Sequence, residues 1–144
     1  GTILGTLPGI VVYFRYGIGK VRKKEKAGFA VLLNGKAVLH RLNTLCGNLQ
    51  LVRSQLSLYR IQHEDQWPRR AVFAEQMTGR TNVKGTMNEA EGVVVYGPYL
   101  KSIPANPFTG GNSVDGGDWF YDEETGKFIA ADGGSTQGIV HGNL

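Results

Sequence analysis

Apolar residues recur between positions 42 and 59 in alternating steps of three and four. The positions that carry this pattern are Leu42, Leu45, Leu49, Val52, Leu56 and Tyr59. Such spacing places all of them on one face of an α-helix. It predicts a helix over about residues 42–63. Whether the helix extends back through residues 30–41 is left open, because Asn34-Gly35 between two apolar runs is also typical of a β-hairpin turn.

A second stripe flanks this face and consists of Leu51, Gln55, Leu58 and Gln62. One small sheet cannot cover both stripes. We therefore expect the surplus apolar face either to meet helices of neighbouring chains or to be covered by residues 1–40 of the same chain. The first alternative makes the face from Leu42 to Tyr59 a predicted assembly face.

The segment after the helix begins with Trp67-Pro68, and the proline suits the first turn of a short helix over 68–78 that Gly79 closes. On that helix Phe73 and Met77 share the side that we expect to be buried. Residues 79–92 are polar and turn-rich, which predicts a loop. Residues 93–96, VVVY, predict a short strand or packing segment.

The last third of the chain is rich in glycine and proline. Residues 97–117 exclude a long helix and predict a winding segment held by Tyr99, Leu100, Ile103 and Phe108. Residues 118–131 are the clearest hairpin, because Gly126 can follow a type I turn in the left-handed region. The tail from residue 131 is expected to be mobile or docked late. The predicted fold class is α+β, with the long helix packed on a small, loop-rich antiparallel sheet.

Charge divides the chain more sharply than its net value of +4 suggests. Residues 1–62 carry ten Lys or Arg and one acidic residue. Residues 63–144 carry six Lys or Arg and eleven acidic residues. The predicted organisation is an apolar and basic segment over 1–41, then a helix and β-rich head over 42–144. The basic patch predicted in the first segment comprises Lys20, Arg22, Lys23, Lys24 and Lys26.

Composition and motifs exclude several classes of protein. The sequence has no apolar run long enough for a polytopic membrane protein, and the single Cys46 excludes a disulfide scaffold. No pattern of a serine hydrolase, zinc protease or phosphate-binding loop occurs. Cys46 and His40 are six residues apart, which is not a helical neighbour spacing. We therefore predict a protein that is not an enzyme and has no cofactor.

One metal hypothesis remains in the acidic last third of the chain. Asp115, Asp118 and Asp132 are the preferred ligands for a calcium ion there, since carboxylates on glycine-rich loops suit that cation. The competing interpretation is that these acidic side chains are simply solvated. No EF-hand spacing is present.

Two stretches resemble pilin-like proteins, and most of all the major pseudopilin family of bacterial type II secretion systems. The stretch NLQLVRSQLSLYRIQHEDQWP at 48–68 resembles the second half of that family's long helix and its aromatic-proline step. The stretch from 96 to 132 is similar to the family's last region, with Pro104-Ala105-Asn106-Pro107 followed by the hairpin. The resemblance covers about residues 42–132.

The resemblance implies a structural subunit of a helical filament that works in protein export or as a surface fibre. It implies homo-oligomers, contacts with other secretion or pilus components, and a place in the bacterial cell envelope (inner membrane or periplasm) or outside the cell. The beginning of the sequence departs from the family, because Gly1 and Gly5 stand where the family has Phe and Glu. The apolar run there stops at Phe14, which leaves membrane contact through the N-terminus open.

The alternative function is a basic module that binds nucleic acid or an anionic membrane surface. Its support is the basic patch with Tyr13, Phe14 and Tyr16 just before it. The absence of any named nucleic-acid-binding motif argues against nucleic acid as the partner.

Overall fold

The computed structural model describes residues 2–7, 10–14 and 23–144, with side chains from residue 34 onward. Within these residues the fold is α+β, as predicted. The chain divides into two compact units, Gly1–Arg41 and Leu42–Leu144. One helix, α1, spans Lys23–Gln62 and so contributes to both units.

The first unit contains an antiparallel hairpin of β1 (Thr2–Leu7) and β2 (Ile10–Phe14), besides the first part of α1. Asn34 and Gly35 both lie inside α1, so the alternative of a hairpin turn at this pair is wrong. The helical spacing of apolar residues continues through the pair, and a glycine inside a helix costs only about 1 kcal/mol. The helix interpretation of residues 30–41 is confirmed.

The second unit contains the rest of α1 and the head that packs on it. A 3₁₀ turn at Arg70–Val72 leads into α2 (Phe73–Thr78), and another 3₁₀ turn spans Glu89–Glu91. Two antiparallel strand pairs follow: β3 (Trp119–Asp122) with β4 (Lys127–Ala130), and β5 (Ser135–Thr136) with β6 (Ile139–Val140). A last 3₁₀ turn covers His141–Asn143.

The core of the second unit lies between α1, α2 and the β3–β4 hairpin. Phe73 and Met77 of α2 are buried, as predicted. The fourteen buried residues of this core are Leu45, Leu49, Val52, Leu56, Tyr59, Phe73, Met77, Tyr99, Leu100, Ile103, Trp119, Tyr121, Phe128 and Ala130.

The β3–β4 hairpin alternates as its sequence predicts. Trp119 and Tyr121 are fully buried, while Phe120 between them is 40% exposed. Its turn closes with Gly126 at φ +72°, and the amide of Gly126 donates to the carbonyl of Asp122 at 2.8 Å. A side chain at position 126 would meet the Trp67 indole at 2.5 Å. The hairpin therefore packs its turn glycine directly on Trp67.

The segment 97–117 winds as predicted. Tyr99, Leu100 and Ile103 are buried, and Phe108 packs against the core. Asn106 holds one loop of this segment, because its Nδ2 donates to the Asp118 carbonyl at 2.9 Å and its Oδ1 accepts from the Phe108 amide at 2.9 Å.

Three expectations differ from the structure. The short helix begins at Phe73 after a 3₁₀ turn, so Pro68 precedes it instead of occupying its first turn. Val93 and Val95 are 72% and 55% exposed, so the packing expected of VVVY is confined to its end: Tyr96 packs against the core and forms a bridge with Thr81. Of the two alternatives for the tail, mobility is wrong, because the tail is docked and is ordered by β5 and β6 and by burial of His141.

Candidate functional site

The predicted assembly face of α1 is occupied within the chain itself. Its six residues are all at most 9% exposed, and five of them belong to the core of the second unit. The interpretation of this face as a contact between chains is therefore corrected. Periodicity identifies an apolar face, but it cannot distinguish cover by the chain's own head from cover by another chain.

The flank of the same helix remains open to solvent. Leu51 is 48% exposed, Leu58 is 39% exposed and Ile61 is 78% exposed. Steps of seven and three place them on one side of the helix, and we call these three residues the outer stripe. The sequence pattern pointed to Leu51 and Leu58. Ile61 was missed, although its spacing of three from Leu58 was the available signal.

Polar contacts fasten the helix to the head beside the core. The Arg53 guanidinium donates to the Phe128 carbonyl through Nε at 3.1 Å and Nη2 at 2.9 Å, and to the Leu144 carbonyl at 2.6 Å. The Tyr99 hydroxyl donates to Gln62 Oε1 at 2.6 Å. These long-range partners leave no periodic signal, so sequence reasoning did not find them.

The buried face of α1 ends at His63, whose ring stacks on Tyr59 with centroids 3.6 Å apart. His63 Nδ1 lies 2.7 Å from the Tyr59 carbonyl, and Nε2 lies 2.7 Å from Thr81 Oγ1. Burial lowers the pKa of His63. His63 is thus a buried neutral ring that donates to one carbonyl and accepts from one hydroxyl.

A second buried histidine orders the tail. His141 Nδ1 lies 2.7 Å from Asp132 Oδ1, and its Nε2 lies 2.7 Å from Thr136 Oγ1. Burial acts to raise the pKa of Asp132, but hydrogen bonds from Asn106 and His141 outweigh it and lower that pKa. The order of groups is that of a hydroxyl–histidine–carboxylate relay. Thr136 is only 4% exposed, so a substrate cannot reach its hydroxyl. We therefore assign these three residues the structural role of holding the tail in place.

The three carboxylates of the calcium hypothesis each have protein partners. Asp118 Oδ2 accepts from the amide of Ser113 at 2.9 Å, and Asp115 pairs with Arg70 at 3.5 Å. Asp132 accepts from Asn106 and His141. Among residues 34–144, no group of three or more His, Cys, Asp or Glu is arranged to hold a metal ion.

The basic patch falls mostly beyond what the structure describes. Lys20 and Arg22 lie outside the described residues, and Lys23, Lys24 and Lys26 belong to the first turn of α1, where side chains are not described. Within the described part of the chain, no helix has the length and apolar character needed to cross a membrane.

Comparisons with known proteins add no identification. No protein-family model matches the chain, and neither a curated protein nor a solved structure matches it.

Proposed function

We propose that this chain is a structural, non-enzymatic subunit of a pilin-like filament, of the type II secretion pseudopilus or type IV pilus kind, which assembles through the outer stripe of α1. The supporting observation is that one helix of 40 residues carries two apolar faces. Its own head covers one of them, while Leu51, Leu58 and Ile61 remain exposed on the other.

The energetics favour a second chain as the cover for that stripe. Burial of apolar surface contributes about 25 cal/mol per Å², and a repeated helix–helix contact adds this contribution along a filament. Single exposed apolar residues are ordinary on protein surfaces, but here three of them lie on one side of the same helix. The resemblance of residues 42–132 to pilin-like proteins supports the same function. In this proposal the filament lies in the bacterial cell envelope or extends outside the cell.

The test compares two sets of charged substitutions by light scattering and negative-stain microscopy of the 144-residue chain across a concentration series. Leu58→Glu with Ile61→Glu places charges on the outer stripe. Phe120→Glu is the matched control, because Phe120 is a large apolar side chain of similar exposure, 40%, on β3.

We expect the wild-type chain and Phe120→Glu to associate into elongated particles, and the double variant to stay monomeric with an unchanged circular dichroism spectrum. A wild-type chain that remains monomeric at millimolar concentration contradicts the proposal. So does a double variant that associates as readily as the wild type.

A further inference from the structure

A cavity of about 470 Å³ opens beside the last turn of α1. Its walls come from that turn, from residues 66–76 and from the loop over 83–91. All of these residues belong to the second unit. The volume lies within the range of about 300–1,000 Å³ that is typical of small-molecule sites.

Three buried side chains line this cavity, and two of them have their polar atoms satisfied. Both ring nitrogens of His63 have partners. Gln76 accepts from the Arg69 amide at 2.7 Å through Oε1 and donates to the Gly85 carbonyl at 2.8 Å through Nε2. The walls are therefore held in place by hydrogen bonds without any ligand.

The third buried side chain is Tyr59, which is 2% exposed. Tyr59 lines the cavity, and its hydroxyl oxygen is not one of the fully enclosed polar atoms that lack a partner. It lies against the backbone of Gly85, where an added Cβ would be 2.5 Å from the hydroxyl oxygen and 2.7 Å from Gln76 Nε2. The Tyr59 hydroxyl and Gln76 Nε2 therefore lie close to each other beside Gly85.

A hydroxyl in a cavity wall can donate a hydrogen bond to a ligand that replaces water there. Burial raises the pKa of Tyr59 to about 12, although the Arg69 charge acts in the opposite direction. The hydroxyl therefore keeps its proton at neutral pH and can donate. Such a donor suits a carboxylate.

Charged side chains of both signs surround the mouth. Arg69 and Lys84 contribute cations, while Glu64 and Glu91 contribute carboxylates. Glu91 is oriented by a hydrogen bond from Thr86 Oγ1. Trp67 and Val83 add apolar surface between the charged groups. This combination matches a carboxylate, an ammonium group and an apolar body in one compact molecule.

We propose that this cavity is a binding site for a free α-amino acid with an apolar side chain, whose carboxylate accepts from the Tyr59 hydroxyl beside Arg69 and Lys84. The ammonium group of the ligand faces Glu64 and Glu91. The cavity shares no residue with the outer stripe, so its test is independent of the filament proposal.

The test is isothermal titration calorimetry of the 144-residue chain with three probes of one size: L-phenylalanine, hydrocinnamate, which lacks the amine, and phenethylamine, which lacks the carboxylate. Fluorescence of Trp67 provides a second readout because it lines the cavity. We expect saturable binding of phenylalanine and at least about tenfold weaker binding of each of the other probes, since each loses one charge-assisted contact.

Tyr59→Phe removes only the hydroxyl and keeps the buried ring. We expect it to weaken phenylalanine binding about tenfold, while the free energy of unfolding stays near the wild-type value. A hydroxyl with a purely structural role would instead lower that free energy and leave binding unchanged.

Lys84→Gln is a second variant that keeps the proposal testable, because Lys84 is exposed and its loss cannot disturb the core. It should weaken binding, whereas the matched change Lys101→Gln, at an exposed lysine outside the cavity, should not. The proposal is overturned if phenylalanine gives no saturable heat, if hydrocinnamate or phenethylamine binds as tightly as phenylalanine, or if Tyr59→Phe binds like the wild type.

Discussion

The two faces of α1 between Leu42 and Gln62 carry the same kinds of side chain in different surroundings. Leu49 is 1% exposed against the head, whereas Leu58, little more than two turns further along, is 39% exposed. Both are leucines in one continuous helix. The comparison shows that apolar character alone does not determine what a residue contributes to stability; the contribution depends on what covers it.

Truncation of each leucine should produce the largest difference between the two faces. Leu49→Ala removes buried methyl groups and leaves a cavity, which costs about 3 kcal/mol of unfolding free energy. Leu58→Ala should change it by no more than about 0.5 kcal/mol. Urea denaturation of both variants in the monomeric state measures the difference. Equal losses would mean that the outer stripe is packed in solution.

The second-largest effect on unfolding free energy is expected at Arg53, which lies at the polar edge between the two faces. Arg53→Met removes the hydrogen bonds from the guanidinium to the Phe128 and Leu144 carbonyls. Hydrogen bonds that involve a charged group are worth about 1.5–3 kcal/mol, so we expect a loss of about 2 kcal/mol by urea denaturation. Arg80→Met is the matched control, because Arg80 is exposed. A similar effect in both variants would refute the assigned role of Arg53.

His63 makes the buried face sensitive to pH. Because its pKa is lowered in the folded chain, the unfolded chain binds more protons as the pH falls through about 6.5. The contribution of His63 to stability is therefore complete at neutral pH and decreases toward pH 5. His63→Asn should reduce that dependence of the unfolding free energy on pH. A pH profile parallel to that of the wild type would contradict a neutral, buried His63.

The smallest effect is expected at Gly47, an exposed residue within α1 that belongs to neither stripe. A Cβ added there would meet nothing within 4 Å, so Gly47→Ala should gain the helix propensity that glycine lacks. We expect an increase of about 0.5–1 kcal/mol in unfolding free energy. Thermal melts of the variant and the wild type measure it, and a decrease would show that this position has a neighbour in solution.

The sequence predicted those parts of the fold that depend on local pattern. The helix around Leu42 to Tyr59 and the hairpin around Gly126 each follow from spacing or turn chemistry within a few residues. The sequence left the tail open between mobile and docked late, since its order depends on His141 reaching Asp132 and Thr136 in one buried cluster. That cluster has no periodic signal, and glycine-rich composition is compatible with either alternative.

The candidate sites also divide into those that local sequence spacing predicted and those that it did not. The spacing of Leu51 and Leu58 was sufficient to indicate a second apolar stripe. The cavity beside Tyr59 was not predictable, because it brings together the end of α1 with Gln76 and Gly85 from later parts of the chain. The contacts of the carboxylates in the calcium hypothesis were not predictable either. Asp115, Asp118 and Asp132 each have protein partners, and no group of three or more possible metal ligands forms among residues 34–144.

The contact between Gly126 and Trp67 restricts which residues can be substituted at position 126. Position 126 excludes other residues twice, once because its φ is +72° and once because the indole occupies the space of a side chain. A smaller residue at 67 would remove the second obstacle and leave the first. No single substitution elsewhere can therefore make alanine acceptable at 126 without strain, and a library randomised at this position should favour glycine even when a smaller residue stands at 67.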